Sequence, residues 1–198
     1  ESARAAEQPF YSGKTITVVI GTAPGGTGGL RYATVMKYLQ KHIPGNPAIV
    51  AQYITGAGGV AAANHMANIA KRDGLTLGGI GTSLYSNAIL DTGGARYKLD
   101  DFVFLGSPYS GGPYTLMVRP GLRLDAVGTL KNHKGLRFAQ RSVGHTMYVI
   151  DRMFAYVLEL NEPKWILGYN EQEIDLALER EEADALSTNL HSIVREKL

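Results

Sequence analysis

The chain contains no cysteine among its 198 residues. This excludes a disulfide framework and any thiolate metal site, and it leaves an oxidising compartment and the cytosol equally open. No apolar run approaches the roughly 20 residues of a membrane span, and the opening Glu1-Ser2-Ala3-Arg4-Ala5-Ala6-Glu7 lacks an apolar signal core. The expectation is a soluble protein from which any export signal has already been removed. Charge of one sign is scarce too. Twenty Lys and Arg stand against 18 Asp and Glu, a formal net of +2, without the dense basic stripe that a phosphate backbone demands, so nucleic acid is not the expected partner. The five histidines, His42, His65, His133, His145 and His191, are scattered without metal-ligand spacing, and no metal site is expected.

Catalytic and nucleotide signatures are missing as well. There is no Gly-x-x-x-x-Gly-Lys-Ser/Thr loop, and Gly26-Thr27-Gly28-Gly29 does not complete Gly-x-Gly-x-x-Gly. Ser83, His145 and Asp184 make a triad on paper only, because no Gly-x-Ser-x-Gly elbow presents the serine. No cofactor is called for by these residues. What the chain does have is 44% apolar residues, enough for one large domain or two small lobes, and 24 glycines, several clustered after strands.

Two such clusters carry the reading. Residues 15–20 run as a strand into Gly25-Gly26-Thr27-Gly28-Gly29, and 48–53 into Gly56-Ala57-Gly58-Gly59, each followed by a helix. The first helix ends at His42-Ile43-Pro44-Gly45-Asn46-Pro47. The second, from 60 to about 71, stops at Asp73-Gly74, and 75–80 reads as a third strand leading to Gly81-Thr82-Ser83. The order β-α-β-α-β predicts a parallel sheet with right-handed crossovers and a ligand site outside the carboxyl ends of its strands. Helix starts there offer unpaired N–H groups and a positive dipole end, a cradle for an anion. A turn-forming stretch at 106–113 separates expected strands at 102–105 and 114–118, and beyond these come strands at 136–139, 164–167 and 183–186, with helices over 146 to about 160 and 171–180. This gives a first lobe over 1–105, a crossover over 106–118 and a smaller second lobe over 119–198.

The residues Gly13-Lys14-Thr15-Ile16-Thr17-Val18-Val19-Ile20-Gly21, Pro24-Gly25-Gly26, His42-Ile43-Pro44-Gly45-Asn46-Pro47, Gly56-Ala57-Gly58, Asn64, Asp73-Gly74, Gly168-Tyr169 and Leu176-Ala177-Leu178-Glu179-Arg180 follow one another with compatible spacing. In this the chain, from about residue 9 to about 190, resembles the substrate-binding receptors of tripartite tricarboxylate transporters, the Bug or TctC-type receptors. The resemblance implies a two-lobe fold like that of type II periplasmic binding proteins, with parallel-rich sheets flanked by helices. It implies a periplasmic receptor rather than an enzyme, closing on a small organic acid and serving membrane transporter subunits. One carboxylate would rest on N–H groups of Gly25, Gly26, Thr27, Ala57 and Gly58, near Thr82 and Ser83. The second lobe would read the rest of the ligand.

The second-lobe loop Gln140-Arg141-Ser142-Val143-Gly144-His145-Thr146 lies where the family places its distal reading loop. Arg141 offers a planar fork for a second carboxylate or is simply exposed. Ser142 and Thr146 cap the following helix or donate to ligand, and Gly144 and His145 complete the loop. Tyr169 closes over ligand or packs between lobes, and Asp184 organises loop backbone. Tyr85, Tyr109, Tyr114 and Tyr148 stack on an aromatic ligand or sit in the core. The family's pattern is broken at Gly29 and Ala33, where many relatives carry Asp and Arg, and at Glu181 and Ala185, where relatives often carry Gly. Arg31 stands one turn from the missing cation.

Relatives continue past the second lobe and return to complete the first sheet, so that return segment is expected to be missing here. An uncovered edge would then favour self-association, with apolar exposure around 54–59 and at the lobe junction. Two other readings stay open from sequence: a nucleotide- or phosphosugar-binding α/β enzyme, and a receptor of the same fold used for signalling. Dicarboxylates, tricarboxylates, aromatic acids and amino acids all remain candidate ligands.

Overall fold

A computed structural model describes residues 8–91, 94–107, 111–124 and 126–190, apart from the side chains of Thr27 and Glu171. The expectations that fall on 1–7, on Pro108-Tyr109-Ser110 and on His191 lie outside the described residues.

The first half folds around a parallel sheet. Strand β1 (Thr15–Ile20) pairs in parallel with β2 (Ala48–Tyr53) on one side and β3 (Thr76–Gly79) on the other, giving the order β2-β1-β3. The β-branched run Thr-Ile-Thr-Val-Val-Ile suits the pleat of a central strand, where both faces are covered. Ile16, Val18, Val19 and Ile20 are all buried accordingly. Helix α1 (Thr27–His42) crosses from β1 to β2, and α2 (Val60–Asn68) from β2 to β3. Ile43 leaves α1 in an extended conformation because Pro44 disfavours a helical residue before it. After β3 a further helix, α3 (Ser83–Leu90), begins at Gly81-Thr82.

The second half builds a mixed sheet in the order β4-β7-β5-β6. Strand β4 (Tyr114–Val118) runs antiparallel to β7 (Ala185–Asn189), while β5 (Arg137–Gln140) is parallel to β7 and to β6 (Lys164–Leu167). Helices α4 (Val127–Asn132), α5 (Thr146–Val157) and α6 (Glu171–Glu179) flank it. Leu130, Leu136, Phe138, Leu160 and Ala185 form its core, and Trp165 stacks on Phe138 with ring centroids 4.8 Å apart.

Three differences from the sequence reading stand out. The apolar stretch 102–105 is not a strand; its rings pack one by one, Phe102 edge-on to Tyr97 and Phe104 stacked on Tyr85 at 5.4 Å. Val103 and Leu105 are left 87% and 78% exposed, so the apolar exposure expected at the junction is there. Around 54–59 it is mixed: Ile54 is half-buried and Gly59 buried, but Ala57 is exposed and the adjoining edge strand β2 exposes Val50 and Tyr53. Finally, α3 and α4 are short helices that the sequence reading did not include.

Asp184, just before β7, ties three strands together. Its Oδ2 accepts from the Arg137 backbone N–H at 3.0 Å and from Arg137 Nε at 2.7 Å, while Oδ1 accepts from Arg137 Nη2 at 2.7 Å and Arg119 Nε at 3.0 Å. Arg119 also meets Glu181 at 3.2 Å, an ion pair whose Glu181 side is open to solvent. Although burial alone would raise it, these guanidinium and N–H bonds hold the Asp184 carboxyl down at about 2. A lowered carboxyl stabilises the fold above its unfolded value and loses that contribution as pH falls toward about 2. Asp184→Ala, which strands two guanidiniums, is expected to cost about 3 kcal/mol in urea unfolding at pH 7. Asp184→Asn should remove the acid-limb dependence between pH 4 and 2.

Candidate functional site

All three strands of the first sheet point their carboxyl ends the same way, so the loops 21–26, 54–59 and 80–82 share one edge. Gly21 at the end of β1 abuts this group: a Cβ on it would lie 3.4 Å from Gly59 Cα. Ser83, buried at the start of α3, donates through Oγ to Gly58 O at 2.5 Å and so fixes the second glycine loop to the third.

The loop after β5 meets this edge from the other sheet. Asn87 Nδ2 donates to Ser83 O and to Gly144 O, both at 2.8 Å, and Thr82 Oγ1 and Thr146 Oγ1 share a hydrogen bond of 3.0 Å. Gly58, with φ +66°, lies so close that a Cβ would fall 2.7 Å from His145 N and 2.8 Å from Gly144 O. Gly144 is the reciprocal case. Its own φ is unremarkable, but a Cβ there would meet Asn87 Oδ1 at 2.9 Å and Ala57 O at 3.0 Å, both across the junction. Glycine is required at 58 by conformation and by space, and at 144 by space alone.

Helices α1, α2 and α3 all start on this edge without a side-chain cap, and none of them, nor α5, carries an acidic residue in its first turn. Their leading N–H groups therefore present about half a positive charge each with nothing anionic beside it. Helix α6 shows the alternative: Asn170 and Glu173 close a reciprocal capping box there, with bonds of 3.0 and 2.7 Å. The cap of α5 is His145, whose Nδ1 accepts from Met147 N at 3.3 Å; the role expected of Ser142 or Thr146 falls to it. Burial, aided by the Arg141 charge, pushes His145 down to about 4, so it is neutral near pH 7. Ser142 Oγ and Thr22 Oγ1, each two residues past a central strand end, are buried without a hydrogen-bond partner.

The expected site residues thus divide. Ala57, Gly58, Thr82, Ser83, Gly144, His145 and Thr146 come together, with Arg141 and Ser142 in the adjoining loop. Gly25 and Gly26 lie on the same edge; a Cβ on Gly25 meets nothing within 4 Å, Gly26 is half-buried, and the backbone of Thr27 opens α1 beside them. Tyr169 does not join the junction. Its N–H donates to Gln140 O at 3.2 Å and its ring packs on Ala139, Ala177 and Ala183, beside a hollow of about 340 Å³ between β6 and α6. Asp184 is bound to two arginines at the opposite end of β5 from His145, so Ser83, His145 and Asp184 are not assembled. Asn87, 1% exposed, is the residue sequence reasoning missed.

Two departures from the family's pattern acquire structure. A Cβ on Gly29 would lie 2.7 Å from Ala23 O, so an Asp at 29 requires a different course for the loop 21–26. Ala33 is solvent-exposed on α1.

The sequence matches no protein-family model and no curated protein. Solved structures resemble the fold. MatC (Rpa3494) from Rhodopseudomonas palustris with bound malate superposes with a TM-score of 0.71 at 20% identity, over 92% of this chain and 64% of that one. R. palustris Rpa4515 with adipate gives 0.65 at 19% identity over 91% and 61%, and the periplasmic binding protein BugD gives 0.65 at 17% over 94% and 62%. This chain spans less than two thirds of the length of each. By fold, then, it is an α/β protein built like the two-lobe periplasmic solute-binding receptors.

Proposed function

We propose that the chain belongs to the Bug or TctC-type receptors and forms the ligand-closing part of a periplasmic receptor that takes a small organic acid between its lobes. The observation that carries this reading is the junction itself. The uncapped starts of α1, α2 and α3 face there, across glycines that touch, the start of α5, whose cap is the neutral His145, and none of the four has an acid in its first turn, an arrangement suited to a carboxylate and hostile to a cation. The malate and adipate named for the two R. palustris proteins are acids of this kind. In the proposed complex one carboxylate rests on N–H groups at Gly25, Gly26, Thr27 and Ala57-Gly58 of the first lobe. Thr82 and Ser83 set the adjoining loop, and Arg141, Ser142, Gly144, His145 and Thr146 complete the site from the second. The proposed recipient is a set of membrane transporter subunits of the tripartite tricarboxylate type.

Closure favours the bound state only through contacts the ligand makes on both sides. A thermal-shift panel of malate, adipate, citrate, benzoate, aspartate and ATP separates the readings. An acid at 100 times its Kd adds about 2.7 kcal/mol, which is a rise of roughly 5–10 °C for a chain of this size. Stabilisation by ATP alone would favour the nucleotide-enzyme reading instead.

Gly144→Ala provides a sharper test. Because its backbone tolerates alanine and the nearest atoms to a Cβ there belong to Ala57 and Asn87 across the junction, the variant should keep the wild-type melting temperature within a few degrees. Its affinity for the stabilising acid, read by calorimetry, should fall at least tenfold, about 1.4 kcal/mol. Unchanged affinity would count against closure at this contact.

A further inference from the structure

Behind the junction loop lies a buried polar pair that the proposed ligand site does not use. Gln140 is the last residue of β5 and Asp151 sits in the second turn of α5, so the two bracket the loop 141–145 that carries the contact with the first sheet. Both are buried, at 1% and 0% exposure. Gln140 Nε2 donates to Asp151 Oδ2, while Gln140 Oε1, Asp151 Oδ1 and the neighbouring Ser187 Oγ are buried without a partner at hydrogen-bonding distance and angle. The single Ser187 hydroxyl proton can serve only one of the two left-over acceptors, so a carboxylate and an amide here still lack one proton. A proton on Oδ1 supplies the donor that Oε1 needs and turns the pair into an acid–amide ring of two hydrogen bonds.

We propose that Gln140 and Asp151 form a proton-sensitive clamp: protonated, they close this ring and seat α5 so that Gly144-His145-Thr146 holds the first unit; deprotonated, they release the loop. Burial pushes Asp151 up to about 7, against the opposing pull of the Ser187 N–H and hydroxyl. Among the described residues, Arg141 stands in the loop that the pair brackets, and its charge is felt at His145. Of the elements packed on α5, β7 brings no titratable residue, β4 brings Tyr114, α3 brings Tyr85, and β5 brings Arg137, which is bound to Asp184. On α5 and its cap stand Arg152, which lies over Trp165 at 5.0 Å, and His145, which is neutral above pH 5. A carboxyl raised above its unfolded value stabilises the closed clamp fully below about pH 4 and loses that contribution as pH rises through about 7.

The absence of native cysteine makes the test direct. Lys37→Cys on α1 and Gln172→Cys on α6, both exposed, take spin labels whose separation is read by pulsed electron resonance from pH 5.5 to 8.5. That window lies above the titration of His145. The expected result is a single short distance at pH 5.5 giving way to a longer or broader distribution with a midpoint near 7. In Asp151→Asn, whose amide makes the same two-bond ring without titrating, the short distance should persist throughout. A wild-type distribution that does not change across the window overturns the proposal, whether or not the variant folds. So does a transition that survives unchanged in Asp151→Asn.

Discussion

The constraint on which the rest depends is the contact of two backbones at Gly58 and Gly144. Neither position tolerates a Cβ in this arrangement, yet each lies in a loop belonging to a different sheet. Parallel pairing makes such a meeting feasible, because it sends every strand-to-helix loop of the first sheet to one edge and the loop after β5 to the corresponding edge of the second. Ser83 and Asn87 then hold the approach in register with three bonds to carbonyl oxygens. The positive ends of α1, α2 and α3, which have no side-chain cap and no acid in their first turns, and the Arg141 charge in the loop after β5 make the local field positive.

Much of this was legible in the sequence wherever local chemistry and topology agree. β1 and β2 were readable because β-branched runs end in glycine, and α1 because Pro44 must stop it. The two glycine turns pointed correctly to one sheet edge. Legibility ran out where tertiary partners decide. The stretch 102–105 has a strand's composition, but its phenylalanines find Tyr97 and Tyr85 before they find a ladder. Helix α3 is only eight residues with two serines and an asparagine, poor helix formers that read as loop. For that reason Asn87 escaped notice; only the closed junction shows an asparagine buried to satisfy carbonyls from both sides. The ring of Tyr169 was visible as a candidate but not its destination, since Gly168 lets the chain turn it toward α6.

The second unit sets two buried aspartates against each other. Asp184 is surrounded by donors and stays ionised; Asp151 is surrounded by apolar packing, an amide and a serine, and resists ionisation. They lie at opposite ends of β5, the former fastening the sheet and the latter standing behind the loop that meets the first unit. One strand thus separates a permanent structural charge from a titratable one. His145, neutral at the tip of that loop, adds a hydrogen-bonding cap without adding charge.

Binding of a small carboxylic acid at the junction of the two units, as proposed, is read by native mass spectrometry of the purified chain compared with the denatured chain. Binding there gives a small added mass, that of an organic acid, that is retained natively or acquired on adding malate or adipate and is lost on denaturation. A nucleotide-sized adduct would contradict it, as would a bare chain to which no carboxylate binds.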